Sequence, residues 1–180
     1  MKNSILTTVF LYLALFSSAQ DEIKPMTNFI GIQPMIKVTP YSEFYSIVEI
    51  NMIPIVYERI ISSRIGFKSF PILNYQINPE KENSISHSGF GISLPFYFQE
   101  REKILPYSGL FISPHLRYTY NQTDLYNSFT YAAEFGWNFL INEKLALMLD
   151  LQYGRSIIFN SSVGKTILHL GGNIQFGVWL

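Results

Sequence analysis

An all-β chain is predicted here: an eight-stranded antiparallel up-and-down transmembrane β-barrel behind a cleavable signal peptide. Three features of the 180 residues predict it. Beyond residue 20 the apolar residues recur with period two, which sends successive side chains to opposite faces of a strand. The alternation comes in segments of about ten residues divided by turn chemistry, the pattern of strands that cross a bilayer. The composition is also apolar without being charged, with 48% hydrophobic, 16% aromatic and only 14% charged residues. Ordinary soluble domains carry about 25% charged residues.

The first element is the leader. Lys2 supplies a positive end, Ile5 to Phe16 is an apolar run, and Ser17 and Ala19 are the small residues that signal peptidase reads at −3 and −1. A cut after Ala19 divides the chain into a signal peptide, residues 1–19, and a barrel domain, residues 20–180. The run from Ile5 to Phe16 is too short for a retained membrane helix, which needs roughly 20 residues. Loss of Lys2 turns 13 basic and 13 acidic residues into a mature balance one short of neutral on the basic side. No bulk field exists to draw nucleic acid or anionic lipid. With no Cys, disulfides, thiolate metal ligands, a Cys nucleophile and an acylated N-terminal Cys are excluded.

Eight alternating segments follow, over residues 28–38, 45–58, 64–78, 87–99, 107–121, 128–141, 145–158 and 166–180. The last is the clearest. Leu168, Leu170, Gly172, Ile174, Phe176, Val178 and Leu180 share one face, and His169, Gly171, Asn173, Gln175, Gly177 and Trp179 share the other. Glycine checks the assignment of faces. Residues 31, 66, 89, 91, 109, 136, 154, 171 and 177 all fall on the polar face, and only Gly172 falls on the apolar one. Small residues belong inside an eight-stranded barrel, whose interior is just wide enough for side chains to fill. An apolar-inward, lipocalin-like soluble barrel is the competing arrangement, and it would point these glycines into water.

Prolines 34, 54, 71, 95 and 114 fall inside the proposed strands, where each removes a ladder donor. At Ile53-Pro54 the apolar phase slips by one residue, from Val48, Ile50 and Met52 to Ile55 and Tyr57. A β-bulge is expected there. The other four prolines have no comparable sequence explanation.

Lys37, Glu58, Lys68, His115, Arg117, Glu134 and Asp150 fall on the inward faces. Three positive and three negative charges with one histidine read as a mutually neutralising network that fills the lumen, because a buried charge is costly unless paired. The histidines share no metal-ligand spacing, and no cofactor is expected. Gly164-Lys165-Thr166 lies between strands and lacks the first glycine of a phosphate loop. Tyr107, Tyr118, Tyr120, Tyr126, Tyr131, Trp137, Tyr153 and Trp179 are expected to form aromatic girdles at the membrane interfaces. His87-Ser88 lies near a rim, with no acid partner fixed by the sequence.

The signal ending Ser-Ala-Gln, the phrase Tyr57-Glu58-Arg59 and the terminal Gly172-x-Ile174-x-Phe176-x-Val178-x-Leu180 resemble the small Gram-negative outer-membrane barrels. These are the outer-membrane-protein-X-like and OmpA-transmembrane-like families, and the resemblance spans residues 20–180. It implies residence in the outer membrane among lipid and lipopolysaccharide. It also implies that Gly172, Ile174, Phe176, Val178 and Leu180 form the strand read by the barrel assembly machinery. Family members usually end in Phe or Trp, whereas here Trp179 is penultimate. The expected role is structural or surface-interacting and not enzymatic, with a packed, non-conducting lumen and a surface partner that the sequence does not name. A lipid A-modifying acyl hydrolase or transferase is the alternative, and it needs a nucleophile, base and acid on the lipid-facing surface.

Overall fold

A computed structural model of the chain describes residues 25–34, 36–40, 46–78, 82–101, 105–159 and 164–180. The expected signal peptide, residues 1–19, lies outside them. Eleven strand segments appear: β1 (Asn28–Ile32), β2 (Ile36–Pro40), β3 (Ser46–Asn51), β4 (Ile55–Ile60), β5 (Gly66–Ile77), β6 (Ser84–Ser93), β7 (Phe96–Tyr97), β8 (Gly109–Asn121), β9 (Tyr126–Leu140), β10 (Leu145–Phe159) and β11 (Gly164–Trp179). Three of the eight expected strands are interrupted, so that β1–β2, β3–β4 and β6–β7 each form one pass. Neighbouring passes pair antiparallel, and β11 returns to β1, with Phe29 opposite Trp179 and Ile32 opposite Phe176. The result is a closed eight-stranded barrel. Its two chain ends meet at one rim, where the Thr27 amide donates to the Leu180 carbonyl at 2.8 Å. We call this rim the near end and the opposite rim the far end.

The interruptions explain the prolines. Pro34 lies between β1 and β2, Pro54 between β3 and β4, and Pro95 between β6 and β7. The expected bulge is present. Six positions separate Asn51 from Tyr57, while five separate their partners Asn74 and Ser69 on β5. Pro71 sits in the stretch of β5 facing that bulge, between the residues paired to β3 and those paired to β4. Pro114 on β8 faces the other break, and its carbonyl accepts from the Leu94 amide at 3.2 Å. Prolines on adjacent strands thus share two discontinuities, where their missing donors cost the ladder least.

The faces are as the alternation requires. Ile30, Phe90, Leu110, Phe135, Leu151, Leu170 and Phe176 are exposed, while Glu58, Lys68, Ser113, Glu134, Asn138 and Gln175 are buried. A lipocalin-like barrel would have these reversed. Gly31 and Gly177 are register partners at the closing seam, and a Cβ on either would come 2.7 Å from Phe29 Cζ. Two adjacent residues without side chains therefore let that ring lie flat over the seam.

Closure is uneven along the axis. In the near half β1 joins β11 and β4, but in the far half β2 pairs with β3 and, among the described residues, with no other strand. The far half of β11 is likewise paired only to β10 among the described residues.

Candidate functional site

The lumen is built in three tiers. The near-end floor is aromatic. The Tyr97 and Tyr107 rings stack with centroids 4.2 Å apart, Phe111 lies 5.3 Å from Tyr97, and Trp179 meets Tyr107 edge-on at 6.0 Å and Phe29 at 5.3 Å. All five side chains are fully buried. This corrects the girdle assignment of Tyr107 and Trp179. Tyr118, Tyr120, Tyr131, Trp137 and Tyr153 do face outward. Tyr107 precedes β8 on a turn that tucks inward, and inward parity carries Trp179 to the axis.

The Tyr107 hydroxyl donates toward the backbone carbonyls of Ser62 and Ile65, tying the β4–β5 turn to the floor. Burial first, and the Glu58 carboxylate second, push its phenol up to about 12. An unfolded tyrosine titrates near 10. Its contribution is therefore complete below about pH 10 and is lost as pH rises from there through the folded value. Tyr107→Phe is expected to cost about 1 kcal/mol at neutral pH and to remove part of the decline in unfolding midpoint between pH 9 and 11. Urea titrations at the two pH values check both.

Above the floor lies an ionic tier. Lys68 Nζ donates to Glu134 Oε1 at 3.2 Å, and His115 Nδ1 lies 3.1 Å from Glu134 Oε2. A carboxylate only accepts, so Nδ1 carries the proton. Glu58 is the register partner of Lys68 and accepts from the Tyr97 hydroxyl at 2.9 Å. Lys68 also stands 4.9 Å over the Phe111 ring, joining the two tiers through a cation–π contact. Asp150 accepts from Asn173 at 2.7 Å and Gln175 at 3.0 Å, and Gln33 donates to Asn173 at 2.6 Å. That chain crosses the closing seam with side chains just above its last backbone pair.

The far half is not packed. It holds a cavity of about 650 Å³ lined by Arg117, His169, Thr119, Ser128, Thr130, Ser156, Gln152 and neighbours. The expectation of a filled lumen therefore applies only to the near half. Small hydroxyl side chains leave the space, and they bond in cross-strand pairs, Thr119 to Ser128 and Thr130 to Ser156, each at 2.7 Å. Leu168 and Leu170, from the outer face of β11, line the same cavity as His169 and Asn173 from its inner face. One space can touch both faces of β11 because its far half has, among the described residues, no second neighbour.

A smaller cluster sits nearer the far rim, and the sequence did not reveal it. Between Asn74–His87 and Tyr75–Ile85 the β5–β6 register slips by one, leaving Ser86 as the extra residue. This bulge turns Ser86 inward beside His87. Ser86 Oγ donates to Glu49 Oε1 at 2.7 Å, and His87 Nδ1 lies 3.1 Å from the same oxygen. Asn121 Oδ1 accepts the amides of Thr123 and Asp124, which fixes the side chain so that Nδ2 donates to His87 Nε2 at 3.1 Å. The ring is thus neutral, with its proton on Nδ1 toward Glu49. The acid missing from the His87 neighbourhood is Glu49, and the hydroxyl is Ser86 rather than Ser88. The serine proton points to the carboxylate and Nε2 is occupied, so the trio is not ordered for serine attack.

Of the inward charges expected to act as one network, the fold brings Glu58, Lys68, His115 and Glu134 together, with Asp150 anchored beside them. Arg117 stands apart in the cavity. Lys37 is described in its backbone alone, which pairs with Glu49. Ile174, Phe176 and Leu180 form an exposed row with Gly172, and Val178 on the same face is half-buried at the seam opposite Ile30. Among the described residues no group of three or more acidic or imidazole side chains is placed to hold a metal ion.

No protein-family profile and no curated protein matches the chain. Among solved structures it is similar to the crystal structure of the outer membrane protein OprG from Pseudomonas aeruginosa, at 11% identity and a TM-score of 0.41, covering 88% of this chain and 97% of that one. The chain's own architecture, polar within and apolar without on a closed eight-stranded barrel, makes it a membrane β-barrel.

Proposed function

We propose that this is an integral outer-membrane barrel of the outer-membrane-protein-X-like or OmpA-transmembrane-like kind, with a structural or surface-contact role and a lumen closed to ions. The N-terminal leader supports export. In this orientation the near end faces the periplasm, where both ends of an even-stranded barrel lie, and the far end faces outside. The apolar exterior is solvated by lipid and the lipid part of lipopolysaccharide. The terminal strand, from Gly172 to Leu180, is the segment presented to the barrel assembly machinery.

One observation carries the closed lumen. The near half is blocked twice over, by the stacked Tyr97 and Tyr107 rings and by the buried Lys68–Glu134 pair above them. A hydrated ion crossing there would have to displace aromatic side chains and break a buried ion pair. The Ser86–His87–Glu49 trio faces the lumen rather than the acyl chains, which favours the structural role over lipid A modification.

In planar bilayers the purified mature barrel is expected to give no steady open level in potassium chloride. A stable porin-sized conductance would overturn the closed lumen. Mass spectrometry of lipid A from cells with and without the gene is expected to give one acyl pattern, and a changed pattern would favour the enzyme. An unboiled sample on a gel, migrating differently from a boiled one, reports that the material tested is folded.

A further inference from the structure

The far cavity contains a cation that, among the described residues, has no acid paired with it. Arg117 projects from β8 into it, partly buried, and its Nη2 lies 3.4 Å from His169 Nδ1. His169 Nε2 is 3.2 Å from Gln152 Oε1, an oxygen that only accepts. The imidazole proton therefore sits on Nε2, and Nδ1 meets the guanidinium with a lone pair. Arg117 is thus held by a neutral ring. Among the described residues no carboxylate forms an ion pair with it. Glu49, an acid on the cavity wall, is turned to Ser86 and His87, and Asp150 is turned to Asn173 and Gln175.

A guanidinium is not deprotonated in a protein, and a charge withdrawn from water is costly without a counter-charge. Most of its donors remain uncommitted in a space of about 650 Å³, and the Thr130–Ser156 hydroxyl pair lines the same space. We propose that this cavity is a binding site for an oxyanion group, a carboxylate or phosphate, held by Arg117 with hydroxyl donors beside it. Guanidinium matches such groups with two parallel hydrogen bonds. The cavity lies in the far half of the barrel and also touches the outer face of β11 at Leu168 and Leu170. The group could therefore arrive on a small soluble anion or on a lipid headgroup, and the chemistry at Arg117 is the same for both.

The test uses the full mature barrel, refolded in a maltoside detergent that has no phosphate. The Arg117 side-chain ¹H–¹⁵N resonance is followed against inorganic phosphate, with sodium chloride at matched ionic strength as control. In a second arm, vesicles of phosphatidylcholine alone are compared with vesicles containing one-fifth phosphatidylglycerol. A saturable shift with phosphate but not chloride supports the site with a soluble source. A shift only with phosphatidylglycerol supports it with a lipid source. Arg117→Gln is expected to weaken the response of neighbouring amides at least about tenfold, and Arg117→Lys less, because a point charge replaces a fork. If neither probe moves the wild-type resonance saturably, the proposal fails. It fails equally if folded Arg117→Gln responds like wild type, and the wild-type titration stands whether or not a variant folds.

Discussion

Lys68→Ala is expected to destabilise the barrel by about 3–5 kcal/mol, the usual cost of removing one partner from a buried ion pair. Lys68 is 1% exposed, Glu134 1% and Glu58 0%. Alanine would remove the ammonium that, among the described residues, faces both carboxylates, together with the bond to Glu134 at 3.2 Å and the cation–π contact with Phe111 at 4.9 Å. Neither carboxylate reaches bulk water, since both are almost fully buried, with the aromatic floor below them and the barrel wall around them. The urea midpoint of the barrel in lipid vesicles measures the loss. Lys68→Met combined with Glu134→Gln should recover much of it, since uncharged groups of similar volume leave fewer uncompensated charges. A single-variant cost below about 1 kcal/mol would mean a hydrated network and a lumen open to water at this level.

Leu151→Arg carries the second large effect. Leu151 is 71% exposed, lies midway along β10 and has Phe135 and Gly172 as its register partners. In water an exposed leucine on a strand could become arginine almost without cost. At the middle of a bilayer the same change costs roughly 2–4 kcal/mol, falling to about 0–1 near the interface. Ile141, at 60% exposure in the β9–β10 turn, provides the comparison at the rim. Unfolding titrations in vesicles should separate Leu151→Arg from Ile141→Arg by at least about 1 kcal/mol. Equal costs would remove the lipid from around the apolar belt, and with it the proposed location.

Much of the fold was legible because the information is local. Side-chain direction in a strand depends only on parity, so the rows through Leu168–Leu180 and Leu145–Tyr153, the inward glycines and the slip at Ile53-Pro54 could be read from one segment at a time. Parity gives the face but neither the height nor the neighbour across the lumen. Tyr107 and Trp179 show the limit. Interface tyrosine and tryptophan are common on the outside of such barrels; parity alone turned Trp179 inward, and only the assembled wall shows that it and Tyr107 meet in one floor. The prolines show another, since Pro71 and Pro114 make sense only beside the breaks on adjacent strands.

The candidate site was legible as a set of residues but not as contacts. By itself the sequence determined that this chain alternates its way around a barrel, which side meets lipid, and that charges of both signs point inward. Tertiary structure decided which of them meet. Lys68 and Glu134 are 66 positions apart, and Ser86, His87 and Glu49 converge only through a bulge that shifts one strand by a residue. Arg117, expected in the common network, is left with a neutral histidine. The reason is geometric: contact across a closed barrel depends on the stagger accumulated over every intervening strand pair, and no single strand's sequence contains that sum.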